Sequence, residues 1–395
     1  MSDFDFFDPD FQKNTQKHFQ RMQRECPFAH TDRPFDWYAV TREADVAALL
    51  KDWDLWTSFS GPGLAHQTGG VLVTVDPPEH LFDRRLINKA FSPAQLLAME
   101  DDVTTLINEL IDRFIADGEG DLVPLFTVPV PLIVIARLLG LDEDLVTQMR
   151  PLADAVIHPD TPPGKIDRPQ EDTPQTRYFQ NMIDARRAMH ANGETLPDDV
   201  LSTLVTAELD GRTLTDTEVM GFMGFLFIAG SQTTTQLIGN LIYRLLQHPD
   251  QLRMLKSDWS LLPNAVEESL RFDAPVNGLF RTNTRETEMH GVTIPKDTKV
   301  ICMFGAANID PDFWGQRAGE FDITRNPQLT KRHYAFGKGI HYCMGAPLAR
   351  MEARVAVKAI FERLPDLRLT GEPKEIAAHV MHGVDSLPVA WDSQK

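Results

Sequence analysis

The stretch YAFGKGIHYCMGAPLARMEARVAVKAIFERL, residues 334–364, sets one cysteine, Cys343, among Gly337, Gly339 and Gly345 and just ahead of an amphipathic helical pattern. Glycine lets a backbone turn tightly and approach a large flat object closely. A sulfur at a helix N-terminus is held toward its thiolate by the helix dipole and free N–H groups. The segment therefore reads as a way of presenting one thiolate to a metal. The other cysteines, Cys26 and Cys302, lie far from it and from each other. That argues against a disulfide framework and fits a reducing compartment.

A structural zinc site would need several thiolates, whereas an axial ligand to a haem iron needs one. Working outward, Phe336, Gly337, Gly339, His341, Cys343 and Gly345 spell F-G-x-G-x-H-x-C-x-G. Glu268 and Arg271 form E-x-x-R, DPPEHLFDRR carries His80 and Arg84 as H-x-x-x-R, and FDITRN supplies Arg325. In this order and over nearly the whole chain, the sequence resembles the cytochrome P-450 family. The resemblance implies a mainly α fold with a minor β portion, and a haem b between a long central helix and the cysteine-loop helix. It implies Cys343 as iron ligand, His80, Arg84, Arg281 and His341 as partners of the propionates, and Phe336, Gly337, Gly345, Ala229 and Gly230 as further cofactor contacts. Glu268 and Arg271 share a helix face; buried, they need more hydrogen bonds, which Arg325 and backbone carbonyls would supply.

The long helix is GFMGFLFIAGSQTTTQLIGNLIYRLL, residues 221–246, apolar at first, amphipathic later and polar in its middle. Ala229, Gly230, Ser231, Gln232 and Thr233 match the family's A-G-x-(acid)-T. Gly230 and a threonine hydroxyl are expected to open the helical ladder into a groove for oxygen and water. Thr233 and Gln232 are the expected catalytic side chains. Gln232 departs from the usual acid: an amide orients water but does not release and recapture a proton near neutral pH. Protons are then expected to arrive through ordered water.

Composition is that of an ordinary soluble globular protein: 395 residues, 42% hydrophobic and 24% charged. A formal charge of -18 disfavours nucleic acid as partner. The most apolar run, residues 125–141, is interrupted by Pro129, Pro131 and Arg137, so no spanning helix is expected. The acidic start MSDFDFFDPDF lacks a leader pattern, and the chain is expected in the cytoplasm. Helical periodicity covers 91–116, 127–139, 145–157, 177–189, 216–246, 249–255 and 261–271. Strand patterns sit in two places, a hairpin over 290–304 turning at Pro-Lys-Asp and short strands over 367–391. Residues 158–174, rich in proline and charge, read as a surface loop or a lid.

The expectation is one catalytic domain over residues 1–395 with no fused reductase, acting as a monomer. The resemblance implies a monooxygenase using dioxygen and electrons from a ferredoxin or flavodoxin with its reductase. Lys331, Arg332, Lys338, Arg350 and Arg354 could steer an acidic donor. The pocket would draw on residues 59–73 and the segments near 225, 276 and 384, with Phe59, Leu72, Phe225, Leu226, Val276, Asn277, Leu279 and Val384 in contact with substrate. No Lys or Arg stands between Lys51 and Arg84, so a neutral, mostly apolar molecule is expected. Terpenoid, steroid-like and alkyl-aromatic compounds qualify, with His66, Gln67, Asn277 or His382 available to one polar group. The alternatives are a peroxide-driven or non-oxidative haem-thiolate enzyme, and a haem protein that binds a ligand without turnover.

Overall fold

The computed structural model describes residues 5, 8–32, 35–64, 66, 69–88, 91, 93–142, 174–376 and 380–392. The helix expected over 145–157, most of the 158–174 segment and Gln67 lie outside the described residues. The chain divides into two compact units. The first comprises Met1–Thr57, Glu100–Val130 and Thr233–Lys395; the second comprises Ser58–Met99 and Pro131–Gln232.

The first unit is built around the helix Ala346–Arg363, which begins with a proline in its first turn. That residue suits the position, because its missing N–H would be unsatisfied there anyway. Leu348, Ala349, Met351, Ala353, Ala356, Val357, Ile360 and Phe361 recur at helical spacing and are buried. The helix packs on Glu100–Asp112 and Leu262–Phe272. Glu352 is the inward exception: it is buried, its Oε2 has no hydrogen-bond partner among the described residues, and burial pushes its carboxyl up to about 8.

On Leu262–Phe272, Glu268 and Arg271 are both completely buried. Arg271 donates to both carboxylate oxygens of Glu268 at 2.7 Å, and to the carbonyls of Asn308, Ala318 and Glu320 at 2.8, 2.7 and 2.8 Å. Arg325 donates through Nε to the same carboxylate at 3.1 and 3.2 Å. The Asp322 N–H adds a bond of 2.9 Å. The triad expected from the sequence is thus formed, and it ties an irregular segment to a helix.

A five-stranded sheet runs in the order Phe28–Thr31, Trp37–Val40, Lys299–Met303, Gly278–Asn283, Trp56–Thr57. Lys299–Met303 is central, buried at every position, parallel to Trp37–Val40 and antiparallel to Gly278–Asn283. This corrects the expected hairpin over 290–304. The observed hairpin pairs Thr287–Met289 with Val292–Ile294, and its two turn residues, His290 and Gly291, both have positive φ (51° and 75°). Such a turn matches the natural strand twist, while a strand buried at every position finds its partners deeper in the sheet. Arg281 pairs with Val300 and Leu279 with Cys302, so these side chains share a sheet face. Val300 and Cys302 belong to the core cluster that includes Leu49, Leu50 and Tyr334.

The second unit gathers Glu79–Ile87, Pro174–Ala191, Val200–Thr206 and the earlier part of the helix Asp216–Gln247. Asp199 caps Val200–Thr206 by accepting from Ser202 N–H at 2.6 Å, and also accepts from Arg186 at 2.9 Å. A Cβ on Gly140 would collide with Asp199 at 2.3 Å, so a residue without one stands there.

Arg271→Met leaves the Glu268 carboxylate buried without its main partner, and should cost about 3–5 kcal/mol in urea unfolding. Arg85→Met, at the exposed pair with Asp210, should leave the unfolding midpoint nearly unchanged.

Candidate active site

The cysteine loop is closed by backbone hydrogen bonds. Cys343 N–H donates to Phe336 O at 2.9 Å, Gly337 N–H to Tyr334 O at 2.7 Å and Tyr342 N–H to Gly339 O at 3.2 Å. Gly339 has φ 71°, and a Cβ there would lie 2.6 Å from the Leu50 carbonyl oxygen. Glycine is therefore required by both conformation and space. Cys343 is a half-buried thiol outside any disulfide, and a Cβ on Gly345 would stand 3.9 Å from its Sγ. The sulfur is presented just ahead of the helix Ala346–Arg363.

A second buried network holds this loop. Arg350 grips Glu267 with Nε at 2.6 Å and Nη2 at 2.9 Å, and its guanidinium lies 4.5 Å from the Phe336 ring centre. His333 Nδ1 accepts from Ala335 N–H at 3.2 Å, so Nε2–H donates to Glu267 at 3.2 Å. Burial alone would raise the Glu267 carboxyl, but the hydrogen bonds from His333 and Arg350 and the Arg350 charge outweigh it and hold it at about 2. Sequence reasoning missed this clamp; the available signal was Glu267 directly before Glu268 on a helix with a buried face. It also corrects the reading of Arg350 as a steering charge, since a buried carboxylate claims it. Lys338 sits 3.7 Å from the Tyr334 ring centre and 3.8 Å from Glu43. Lys331 and Arg332 are exposed.

The helix Asp216–Gln247 runs unbroken through its polar middle. The interruption expected at Gly230 is not formed: a Cβ there would meet the Ile135 side chain at 2.8 Å, so the missing Cβ serves close packing. Ser231 donates back to Ile228 O at 3.3 Å. Phe222, Met223, Leu226 and Phe227 are buried, whereas Gly221, Gly224, Phe225, Ile228 and Ala229 are not. Those five fall at i, i+3, i+4, i+7 and i+8, one face of the helix. A Cβ on Gly224 would meet nothing within 4 Å. Gln232 is buried and Thr233 partly exposed.

His80 is 2% exposed on Glu79–Ile87, with Arg84 partly exposed one turn later on the same face. Arg85 is exposed, as expected of the surface member of the pair. Arg281 is buried and donates to its neighbour's carbonyl, Phe280 O, at 2.8 Å. His341 and Phe336 are partly exposed in the loop.

The other expected pocket residues have varied settings. Leu72 is buried with φ 51°, a left-handed conformation that costs a leucine ~1–2 kcal/mol. Phe59 is 52% exposed, and His66 is exposed. Val276 bridges to Met381 and, like Leu279, is partly buried. Asn277 is buried, with Oδ1 2.5 Å from where a Cβ on Gly305 would stand, and Val384 packs against Gly239. His382 is a correction: its Nε2 lies 3.0 Å from Asp273 Oδ1, a buried carboxylate that Arg244 also grips at 2.6 and 2.9 Å. Burial would raise Asp273, but these partners hold it well below the usual carboxylate range. His382 is thus committed to Asp273.

The family profile "Cytochrome P450" matches residues 171–366. The cytochrome P450 monooxygenase PikC of Streptomyces venezuelae is 35% identical over 97% of this chain and 92% of its own. The chain belongs to the cytochrome P450 family. Among solved structures, cytochrome P450 CYP109Q5 from Chondromyces apiculatus superposes with a TM-score of 0.87 at 30% identity, covering 99% of both chains. CYP109E1 from Bacillus megaterium, solved in complex with testosterone, gives 0.84 at 27% identity, covering 97% of this chain and 99% of its own. As a member, this cytochrome P450 is an oxidoreductase of the monooxygenase type whose cofactor is haem b. The residues present fit that group. A single thiol stands half-exposed in a glycine-lined loop, no cluster of three or more His, Cys, Asp or Glu side chains competes for a metal among the described residues, and one face of a buried helix is left bare. Among the described residues, no helix is long and apolar enough to cross a membrane.

Glu267 has its folded pKa depressed, so its contribution is complete above the ordinary glutamate value of 4.5 and is lost as pH falls from there toward about 2. Glu267→Gln should lower stability by about 3 kcal/mol at pH 7. In urea unfolding, the gap from wild type should narrow steadily between pH 5 and pH 3.

Proposed function

We propose that this cytochrome P450 hydroxylates or epoxidises a neutral, mostly apolar small molecule of terpenoid, steroid-like or alkyl-aromatic type. It works as a monomeric, single catalytic domain of the cytoplasm, and takes electrons from a separate ferredoxin or flavodoxin with its reductase. The observation that carries the substrate class is the bare apolar stripe of Gly221, Gly224, Phe225, Ile228 and Ala229. It contains no charge and no hydrogen-bonding side chain, so it suits an apolar surface and offers an anion nothing. The relative solved with testosterone, a neutral steroid, supports the same class.

When bound, haem supplies the activation of dioxygen and the insertion of one oxygen atom into an unreactive bond. Cys343 Sγ would hold the iron and supply electron density to it. His80, Arg84, Arg281 and His341 would donate hydrogen bonds to the propionates, with the arginines suited to two-point contact. Phe336, Gly337, Gly345, Ala229 and Gly230 would contact the ring. Phe59, Leu72, Phe225, Leu226, Val276, Asn277, Leu279 and Val384 exclude water and orient the substrate. The Thr233 hydroxyl both donates and accepts, so it passes a proton at Oγ1. Gln232 orients a water through its amide and releases no proton itself. That amide is the one observation favouring a second reading, in which the enzyme is peroxide-driven or non-oxidative.

The test is a spectral titration of the ferric protein with testosterone, limonene and palmitate. A low-to-high-spin shift with the neutral compounds and none with palmitate is expected; a shift with palmitate alone overturns the substrate class. With a surrogate ferredoxin system, Gln232→Glu should raise product formed per NADH consumed by about tenfold. Poor coupling that stays unchanged would show that the amide does not limit proton delivery.

A further inference from the structure

The long helix's bare stripe begins at Gly221, and the segment before Glu79–Ile87 lies against that end. Val71 Cγ1 stands 3.6 Å from where a Cβ on Gly221 would be. The segment is folded tightly: Gly69 and Gly70 have φ 77° and 133°, and Leu72 follows at 51°. A Cβ on Gly70 would lie 2.3 Å from Thr74 Oγ1, so the turn tolerates no side chain there. Leu72–Thr74 forms a single 3-10 turn, with Thr74 N–H donating to Val71 O and Val75 N–H to Leu72 O. These backbone bonds, at 3.3 and 3.4 Å, are long. What holds the left-handed leucine is shorter: Leu72 N–H donates to Asp83 Oδ2 at 2.8 Å.

Asp83 is 6% exposed, between His80 and Arg84 on the same helix. Arg212 is the nearest balancing charge, but it is already paired with Glu218 and lies 4.1 Å from the centre of the Phe82 ring. Glu218 on the long helix and Glu79 on Asp83's own helix add negative charge. Val200–Thr206, also packed on this helix, carries no titratable side chain. Burial therefore dominates and pushes the Asp83 carboxyl up to about 6. Its contribution to stability is complete at acid pH and lost as pH rises through that value. An apolar residue here would spare the fold that loss. A buried acid whose hydrogen bond holds a left-handed leucine points to a positioning task.

We propose that Asp83 is a positioning residue for substrate selection: its carboxylate pins Leu72 in the left-handed conformation, so that the 69–75 turn forms a fixed wall at the Gly221 end of the pocket. This rests on the pocket reading given above. Asp83 touches neither cofactor nor substrate. It acts through the Leu72 backbone, and it decides how well a bulky apolar molecule is held while leaving a small iron ligand indifferent.

The experiment uses the full-length holoprotein and two azoles that ligate haem iron, bulky clotrimazole and small imidazole. In Asp83→Ala, clotrimazole affinity should fall about tenfold with imidazole unchanged within about twofold, as for a lost hydrogen bond to a charged group. Hydrogen exchange of the peptide over 69–76 should quicken. Asp83→Asn keeps an acceptor and should restore clotrimazole binding to within about threefold at pH 7.5. Wild-type affinity relative to Asp83→Asn, compared at each pH to cancel the azole's own protonation, should fall as pH drops through about 6. This last arm needs no disruptive variant. An unchanged clotrimazole-to-imidazole ratio in Asp83→Ala, an equal loss for both azoles, or a ratio flat with pH overturns the proposal. Absence of a spin shift with neutral compounds would instead remove the substrate class, and the azole ratio would still decide on Asp83.

Discussion

Arg271 presents five N–H donors, and the structure gives it five short contacts: two to Glu268 and one each to the carbonyls of residues 308, 318 and 320. A guanidinium and a carboxylate removed from water together lose more hydration than their attraction returns, unless the remaining donors and lone pairs are also used. Here they are used, by Arg325 and Asp322 N–H as well. The triad converts a stretch with little regular structure into a fixed support, and the chain leaves that support toward the cysteine loop. The cysteine loop thus starts from a fixed support as well as being closed by its own backbone bonds.

The long helix shows the opposite economy. Its flanks are packed until Phe222 and Met223 have no exposure at all, while one stripe is only partly covered and Gly224 faces open space. A helix in a core gains by covering every apolar residue. A bare stripe bounded by closely packed ones, such as Gly230 against Ile135, is therefore unlike a packing defect, which would loosen its surroundings. It has the form of a surface kept for a partner from outside the chain.

How much of this was legible in the sequence depended on distance along the chain. Cys343 and its glycines carry their meaning within ten residues, and Glu268 and Arg271 within four, so the cysteine loop and the ion pair could be read directly; Arg325, 57 residues from Glu268, came only from the resemblance. Arg350 could not, because its partner Glu267 is 83 residues earlier and a helical arginine near a loop resembles a surface charge. His382 was misread for the same reason, with Asp273 109 residues away. The strand Lys299–Met303 was assigned to its neighbour in sequence, whereas its true partners are Trp37–Val40 and Gly278–Asn283. Two of the unforeseen strands, Phe28–Thr31 and Trp37–Val40, are four residues each, too short for alternation to register. Nothing in the letters around Leu72 marks a leucine with positive φ.

Glu267 and Glu268 are neighbours, about 100° apart around one helix, and each belongs to a different buried network. One reaches through Arg350 and His333 to the cysteine loop, and the other through Arg271 and Arg325 to the segment before it. Loop, segment and helix are thereby welded into a single cooperative unit of the kind that opens all at once. The cysteine loop is therefore anchored through buried charge, and loosening it disturbs the pairs that Glu267 makes. Disturbing either carboxylate on this one helix therefore loosens a loop and a segment that are far apart in sequence.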